Sequence, residues 1–244
     1  EISYGLRAHD NVIIGNGLSD TPGAWGAAAG ICLSSSPGAK IERNLLAGNK
    51  EGFDYREQTR TTPLIGDQRE RPVWNHDERV AYNLLAYNRD VQLRGWFDIG
   101  DERHWPAAMQ QRRAETGAAE ANIAGDYLAK DAKGQPVGLD LARLRLTHEH
   151  NLFARRDTFA RRDTFARRDT QALFTWGVAW KRHQAYADLD SVRRELALEQ
   201  GSAVVEAPFA DWLTRDLRLP AGHPALTQGC YPRGEVPGVR LGAQ

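Results

Sequence analysis

The chain has 244 residues, with 32 Lys and Arg balanced by 32 Asp and Glu, which argues against a general nucleic-acid or anionic-membrane binder. At 41% hydrophobic it can fill one sizeable core, and no apolar run approaches the roughly 18 residues of a membrane span. Two cysteines, Cys32 and Cys230, exclude a disulfide scaffold and a Cys-based zinc module, and both are expected unpaired. The length suits a single domain over residues 1–244. The sequence opens inside a repeat without an initiator Met or signal peptide, so it reads as a C-terminal fragment with further coils upstream.

In chain order, the first feature is Asn-x4-Asn, at Asn11/Asn16, Asn44/Asn49 and Asn83/Asn88, with a degenerate copy over Asn151–Arg156. Short apolar stretches lie beside the first Asn of each pair: Val12–Ile14, Leu45–Ala47 and Leu84–Ala86. A second short strand follows each pair: Gly30–Ser34, Gly52–Arg56 and Asp90–Arg94. Aligned, these put Ile31, Phe53 and Val91 in one inward column and Leu33, Tyr55 and Leu93 in another. The same alignment places Asp54 over Gln92, and Arg56 over Arg94, on the outer face. One coil cannot bury its apolar face alone, so stacking is required. Asn is expected at the corners because it tolerates the left-handed conformation, and its amide can bond the Asn of the next coil.

This pattern resembles the right-handed parallel β-helix superfamily of pectate lyases and related polysaccharide-active proteins. The resemblance covers Ile2 to about Trp105, Leu144–Trp176 and Ser202–Gly229. In that last stretch, Asp216–Leu219 and His223–Leu226 look like a terminal coil of secreted bacterial β-helix proteins, with His223 where Ser is usual. The resemblance implies an all-β right-handed parallel β-helix with long loop insertions and a short helix near the C-terminus. It also implies a secreted or periplasmic protein, a polysaccharide or oligosaccharide partner, and Ca²⁺ as a possible cofactor. A monomer is expected.

Residues 106–143 read as an insertion, with helix-forming composition over Ala107–Ala121 and a polar loop over Asp126–Asp140. Phe153–Thr170 is Phe-Ala-Arg-Arg-Asp-Thr three times over, read as an expanded connecting loop. Asp188–Gln200 predicts a packing or capping helix, capped by Asp188 or Asp190, with Leu189, Val192 and Leu196 on one face and Gly201 ending it.

Charged clusters follow the strands: Asp54, Arg56 and Glu57; His76 and Asp77; and Asp98, Asp101, Glu102, Arg103 and His104 between Trp96 and Trp105. Arg56 and Arg94, one coil apart, suit a uronate carboxylate, which Arg binds bidentately. With His76 as acid or base, these form the candidate catalytic set. Asp54, Glu57, Trp96, Asp98, Asp101, His104 and Trp105 are the candidate substrate contacts, the Trp rings as sugar platforms. The expected activity is elimination on an acidic polysaccharide. Hydrolysis by a carboxylate pair drawn from Asp54 or Glu57 with Asp98 or Asp101 is the alternative, as is a non-catalytic carbohydrate-binding or structural protein. Any one of these charges can equally belong to an outward ion-pair ladder. Asp54, Asp98 and Asp101 offer oxygens for Ca²⁺ but match no calcium-loop spacing. His148-Glu149-His150 has metal-ligand residue types, with both His on one strand face, but lacks the helical zinc spacing, and no metal residues are assigned.

Overall fold

The computed structural model describes residues 2–18, 29–57, 60–63, 66, 70–97, 128–130, 136–139, 144–155, 172–178 and 182–244. Three strands, β1 (Arg7–His9), β2 (Val12–Ile14) and β3 (Ala29–Ser34), form the first triplet. The second triplet is β4 (Lys40–Glu42), β5 (Leu45–Ala47) and β6 (Glu51–Glu57), followed by an antiparallel pair, β7 (Arg60–Pro63) and β8 (Glu70–Val73). The third is β9 (Arg79–Ala81), β10 (Leu84–Ala86) and β11 (Val91–Phe97). A second antiparallel pair, β12 (Leu128–Lys130) and β13 (Pro136–Leu139), precedes the fourth triplet of β14 (Thr147–Glu149), β15 (Leu152–Ala154) and β16 (Phe174–Val178). Then come β17 (Arg182–Tyr186), α1 (Leu189–Leu196), β18 (Ala203–Val204) and α2 (Pro224–Thr227).

Each triplet gives one strand to each of three parallel sheets. The first sheet is β1-β4-β9-β14, the second β2-β5-β10-β15-β18, and the third β3-β6-β11-β16, with β17 antiparallel at its end. The chain is therefore mostly strand, with parallel pairing between successive triplets. No helix among the described residues is long and apolar enough to cross a membrane.

Two amide ladders tie the triplets at the corners flanking the second sheet. Asn11 Nδ2 donates to Asn44 Oδ1 at 2.8 Å, Asn44 to Asn83 at 3.0 Å, and Asn83 to Asn151 at 3.0 Å. The other ladder runs Asn16–Asn49–Asn88, at 3.0 and 3.1 Å, and its last Nδ2 turns to Gln92 Oε1 at 2.7 Å. The left-handed residue is not the Asn. It is the residue before it: Asp10, Arg43, Tyr82 and His150 at one corner, and Gly15, Gly48 and Tyr87 at the other, all at positive φ. That turn aims the following amide along the stack.

Register in the third sheet differs from the expected alignment by two residues at the third triplet. Leu93, not Val91, pairs with Phe53, and Val91 pairs with Glu51. One residue of the shift is an extra corner residue, since Lys50 alone separates Asn49 from β6 whereas Arg89 and Asp90 separate Asn88 from β11; the other is in the expected alignment, which set Val91 one residue nearer its Asn than Phe53 is. A shift of two keeps every side chain on its face. The inward columns are therefore Ile31/Phe53/Leu93/Phe174 and Leu33/Tyr55/Gly95/Trp176. Arg56 pairs with Trp96, and Arg94 with Asp54, so Arg56 and Arg94 are not stacked in one column.

The interior cluster combines these residues with Ile41, Leu46, Val80, Leu85 and Phe153. A second cluster lies on the opposite face of the second sheet, where Leu45, Ala47, Leu84, Ala86, Leu152 and Ala154 meet Ala207, Leu217, Leu219, Ala225 and Tyr231. The second sheet is thus buried on both faces, and its strands read as unbroken apolar triplets for that reason. The C-terminal stretch contributes β18 and a single parallel bridge from Gln200 to Glu149 to the stack. The rest folds across the second sheet as a strap rather than forming a terminal coil. Tyr87 Oη donates to the Ala207 carbonyl at 2.6 Å, and the Arg233 amide reaches Asp10 of the first triplet at 3.0 Å. His223 caps α2: its Nδ1 accepts from the Ala225 amide at 3.0 Å, and its Nε2 lies 2.5 Å from the Glu206 carbonyl.

Helix α1 forms where expected but ends earlier. Asp188 caps it by accepting from the Ser191 amide at 2.7 Å, and Leu189, Val192 and Leu196 are buried in the interior cluster. Ala197, at φ 55°, terminates it rather than Gly201. Within the stretch read as a polar loop over Asp126–Asp140, β12 and β13 pair instead. The Ala107–Ala121 helix expectation and the second and third hexapeptide copies fall outside the described residues. The first copy begins in a strand rather than a loop: Phe153 and Ala154 belong to β15 and are fully buried. Cys32 and Cys230 are both free thiols.

Candidate functional site on the outer face of the third sheet

Strands β3, β6, β11 and β16 present two outward columns between their core columns. One is Cys32/Asp54/Arg94/Thr175 and the other Ser34/Arg56/Trp96/Gly177. Asp54 is fully buried, whereas Arg56, Arg94, Trp96 and Thr175 are partly exposed, so the carboxyl forms a floor below cationic and aromatic walls. Burial pushes the Asp54 carboxyl well above the ordinary carboxylate range, and nearby Glu51 adds to the rise. Arg94 and Arg56 oppose it without cancelling it. Burial therefore favours the protonated form of Asp54. The Cys32 thiol is 3.9 Å from Asp54 Oδ2.

Arg94 is held from two sides. Its guanidinium lies 4.5 Å from the Trp96 ring centroid and pairs with the Glu51 carboxylate. Stacking fixes the plane of the guanidinium and leaves its edge available to an anion. Although the register separates Arg56 from Arg94 by column, both bear electrostatically on Asp54. The two cations and the acid therefore form one cluster.

The remaining candidates are distributed differently. Glu57 is buried at the end of β6, accepting from Ser35 Oγ at 2.9 Å and the Asn75 amide at 2.6 Å, which makes it a corner brace. His76 lies at the corner leading to β9, with Nδ1 2.6 Å from Asp77 Oδ2 and its ring 4.9 Å from that of Trp74. Its neighbour Asn75 donates Nδ2 to the Arg56 carbonyl at 3.2 Å. Asp77 is in turn held by Arg145 at 2.6 Å, and this pairing, led by the Arg145 hydrogen bond, lowers its carboxyl to about 2. Asp98, Asp101, His104 and Trp105 lie outside the described residues. Asp54 is a poor Ca²⁺ ligand, because the two guanidinium groups beside it repel a divalent cation.

The His148-Glu149-His150 stretch does not present both His on one face. His148 points into the interior and Glu149 outward to Arg79 at 2.7 Å, while His150 takes the left-handed corner and stacks on Tyr82 at 5.1 Å. His148 instead joins a buried network. Its Nε2 is 2.8 Å from Tyr55 Oη and its Nδ1 3.0 Å from Glu199 Oε1, while Glu199 Oε2 accepts from Ser202 Oγ at 2.6 Å and Asn151 Nδ2 at 3.1 Å. No spacing rule links Tyr55, His148 and Glu199 across the sequence, and Glu51 was likewise missed because its pairing with Arg94 depends on the register shift.

No family model matches the chain, and neither a curated protein nor a solved structure matches it significantly.

Proposed function

We propose that the chain is a right-handed parallel β-helix protein that cleaves an acidic polysaccharide on the outer face of its third sheet. The observation that carries this reading is the buried Asp54 carboxyl beside Arg56 and Arg94 on one sheet face, its pKa raised by burial. The stacking of strand triplets supports the architecture, and parallel crossovers of this kind are right-handed in about 98% of cases.

In the elimination reading, Arg56 and Arg94 hold the uronate carboxylate and stabilise the charge that develops when the adjacent carbon loses its proton. His76, oriented by Asp77, takes that proton. The carbon–oxygen bond to the leaving sugar then breaks as the double bond forms, and Asp54 protonates the leaving oxygen. Hydrolysis is a second reading, supported by the two unlike carboxyl groups of the cluster. Asp54 would act as acid, and Glu51, ion-paired with Arg94, would activate water.

The test is incubation with polyuronates and neutral polysaccharides, following unsaturated-uronate absorbance and reducing ends. Elimination yields both signals, and hydrolysis yields reducing ends alone. Asp54→Asn should remove turnover at least about 100-fold while keeping the fold, and Arg56→Ala should weaken acidic-sugar binding. Retention of a polyuronate without any product identifies a binder. Neither product nor retention on any substrate would overturn the proposal.

A further inference from the structure

The two ends of the stack are built differently. At the far end, the last ladder amide is satisfied: Asn151 donates Nδ2 to Glu199 at 3.1 Å and its N–H to Ser202 Oγ at 2.8 Å. Leu189, Val192 and Leu196 of α1 close the interior there. At the near end, β1, β2 and β3 are the terminal strands of all three sheets. Their interior residues Ala8, Ile13 and Ile31 are only partly buried, whereas Ile41, Leu46 and Phe53 beneath them are fully buried. Tyr4, Leu6 and Leu18, three large hydrophobics of this same end, are 60%, 38% and 48% exposed.

The ladders specify what fits this face. Below the first triplet, Asn44 and Asn49 each accept two bonds at Oδ1, from the backbone N–H and the Nδ2 of the Asn above. Asn83 and Asn88 accept the same two bonds. The Oδ1 atoms of Asn11 and Asn16 point the same way and receive no bond from a described residue. The missing donors are thus two N–H pairs at the spacing of one Asn-x4-Asn motif. The corner before β1 already follows the path used lower down. Gly5, at φ 62°, repeats Gly38 at 72°, and their amides bond the carbonyls of Pro37 and His76 at 2.9 and 2.8 Å. In the lower copies this corner carries the chain out of a third-sheet strand into a first-sheet strand.

We propose that the N-terminal face is an interface for one further parallel coil of the same Asn-x4-Asn repeat, joined in cis through the Ile2–Leu6 corner. Such a coil would supply both donor pairs, pair with the edges of β1, β2 and β3 that no described strand occupies, and cover Ala8, Ile13 and Ile31. A second copy of the chain cannot do this. Head to head, it presents the same acceptors, and head to tail, its other end is closed by α1. The inference is independent of any activity at the third sheet.

The experiment compares the full chain with a version in which a copy of residues 38–57 is joined directly to Glu1. Backbone hydrogen exchange is read at β1, β2 and β3, together with thermal unfolding. Exchange at those strands should slow by on the order of tenfold or more, and the unfolding temperature should rise. A copy carrying Asn44→Asp and Asn49→Asp, which loses both side-chain donors, should give neither effect. Unchanged exchange, or equal protection from the Asp-bearing copy, overturns the proposal. So does concentration-dependent protection of these strands in the unmodified chain, which would make a second copy the occupant.

Discussion

Asn83→Leu isolates what the ladder contributes. Asn83 is fully buried, and its side chain makes five bonds. Nδ2 donates to the carbonyls of Ile41 and Ala81 at 2.9 and 3.1 Å and to Asn151 Oδ1 at 3.0 Å. Oδ1 accepts from the amide and Nδ2 of Asn44, both at 3.0 Å. Leucine has the same branching but bulkier methyl groups, so the perturbation is loss of hydrogen bonding with some overpacking rather than a cavity. The Asn44 amide loses its acceptor outright in a dry corner, at about 1–3 kcal/mol, and the other bonds add about 0.5–1 kcal/mol each where the partner keeps another contact. Asn44 Nδ2 does keep one, to the Ala8 and Glu42 carbonyls. The expected cost is about 3–5 kcal/mol, a large part of the roughly 5–15 kcal/mol available to a folded domain.

The control is Asn11→Leu. Asn11 is exposed at the open end, and its Nδ2 bonds to Asn44 Oδ1 at 2.8 Å and to the His9 carbonyl at 3.1 Å. Its backbone amide still reaches Asn44 Oδ1, so the expected cost is about 1 kcal/mol or less. Urea unfolding of both variants at pH 7 measures the difference. If the two lie within 1 kcal/mol of each other, the ladder is not a buried network of the assumed strength.

Three further outcomes are expected. Burial pushes the Glu78 carboxyl up to about 9, so the folded chain keeps a proton that the unfolded chain releases near about pH 4.3, and this contribution to stability is full below that pH and lost as pH rises towards 9. Glu78→Gln should flatten that loss between pH 5 and 9 in urea titrations, and an unchanged slope would refute the assignment; Asp10 and Asp77, both lowered to about 2, act in the opposite sense at acid pH. Gly48→Ala should destabilise by about 1–3 kcal/mol and alter Trp fluorescence, because its φ is 61° and a Cβ would sit 2.5 Å from the Trp212 ring. Phe153→Ala should cost about 3–5 kcal/mol, while deleting Phe159–Thr170, which preserves the first hexapeptide copy, should move the melting temperature little.

The sequence carried the repeat because Asn-x4-Asn and the Leu-Leu-Ala triplets occupy equivalent places in successive triplets. Their spacing alone identified which residues pair in the second sheet. It did not identify the third-sheet register, because Asp90 adds a corner residue and a two-residue shift leaves the apolar alternation intact. Arg56 and Arg94 consequently looked stacked, while Glu51 had no apparent partner. The left-handed corners were also hidden. Arg43 and Tyr82 have side chains that rarely adopt that conformation, and tertiary pairing overrides their preference. The strap over the second sheet was misread as another coil because its leucines face the outside of a sheet whose inside was already accounted for.

The hydrogen-bond accounting gives a reason to place chemistry on the third sheet. At the corners, buried amides are paired along both ladders, and even the last Asn of each finds a substitute partner in Glu199 or Gln92. The outer face of the third sheet departs from this economy. Asp54 Oδ1, Glu51 Oε2 and Arg94 Nε are buried without a hydrogen-bond partner, within a few residues of each other in the aligned strands. Burying such groups costs free energy, which the chain otherwise accepts at the Glu78 carboxyl, whose oxygens also lack a partner. Replacing the trio by apolar residues of similar volume would be the cheaper structural solution. Local inconsistency of this kind supports the proposed site on this face. It also explains why acid, cation and aromatic ring occur together where the strands are longest and the sequence least repetitive.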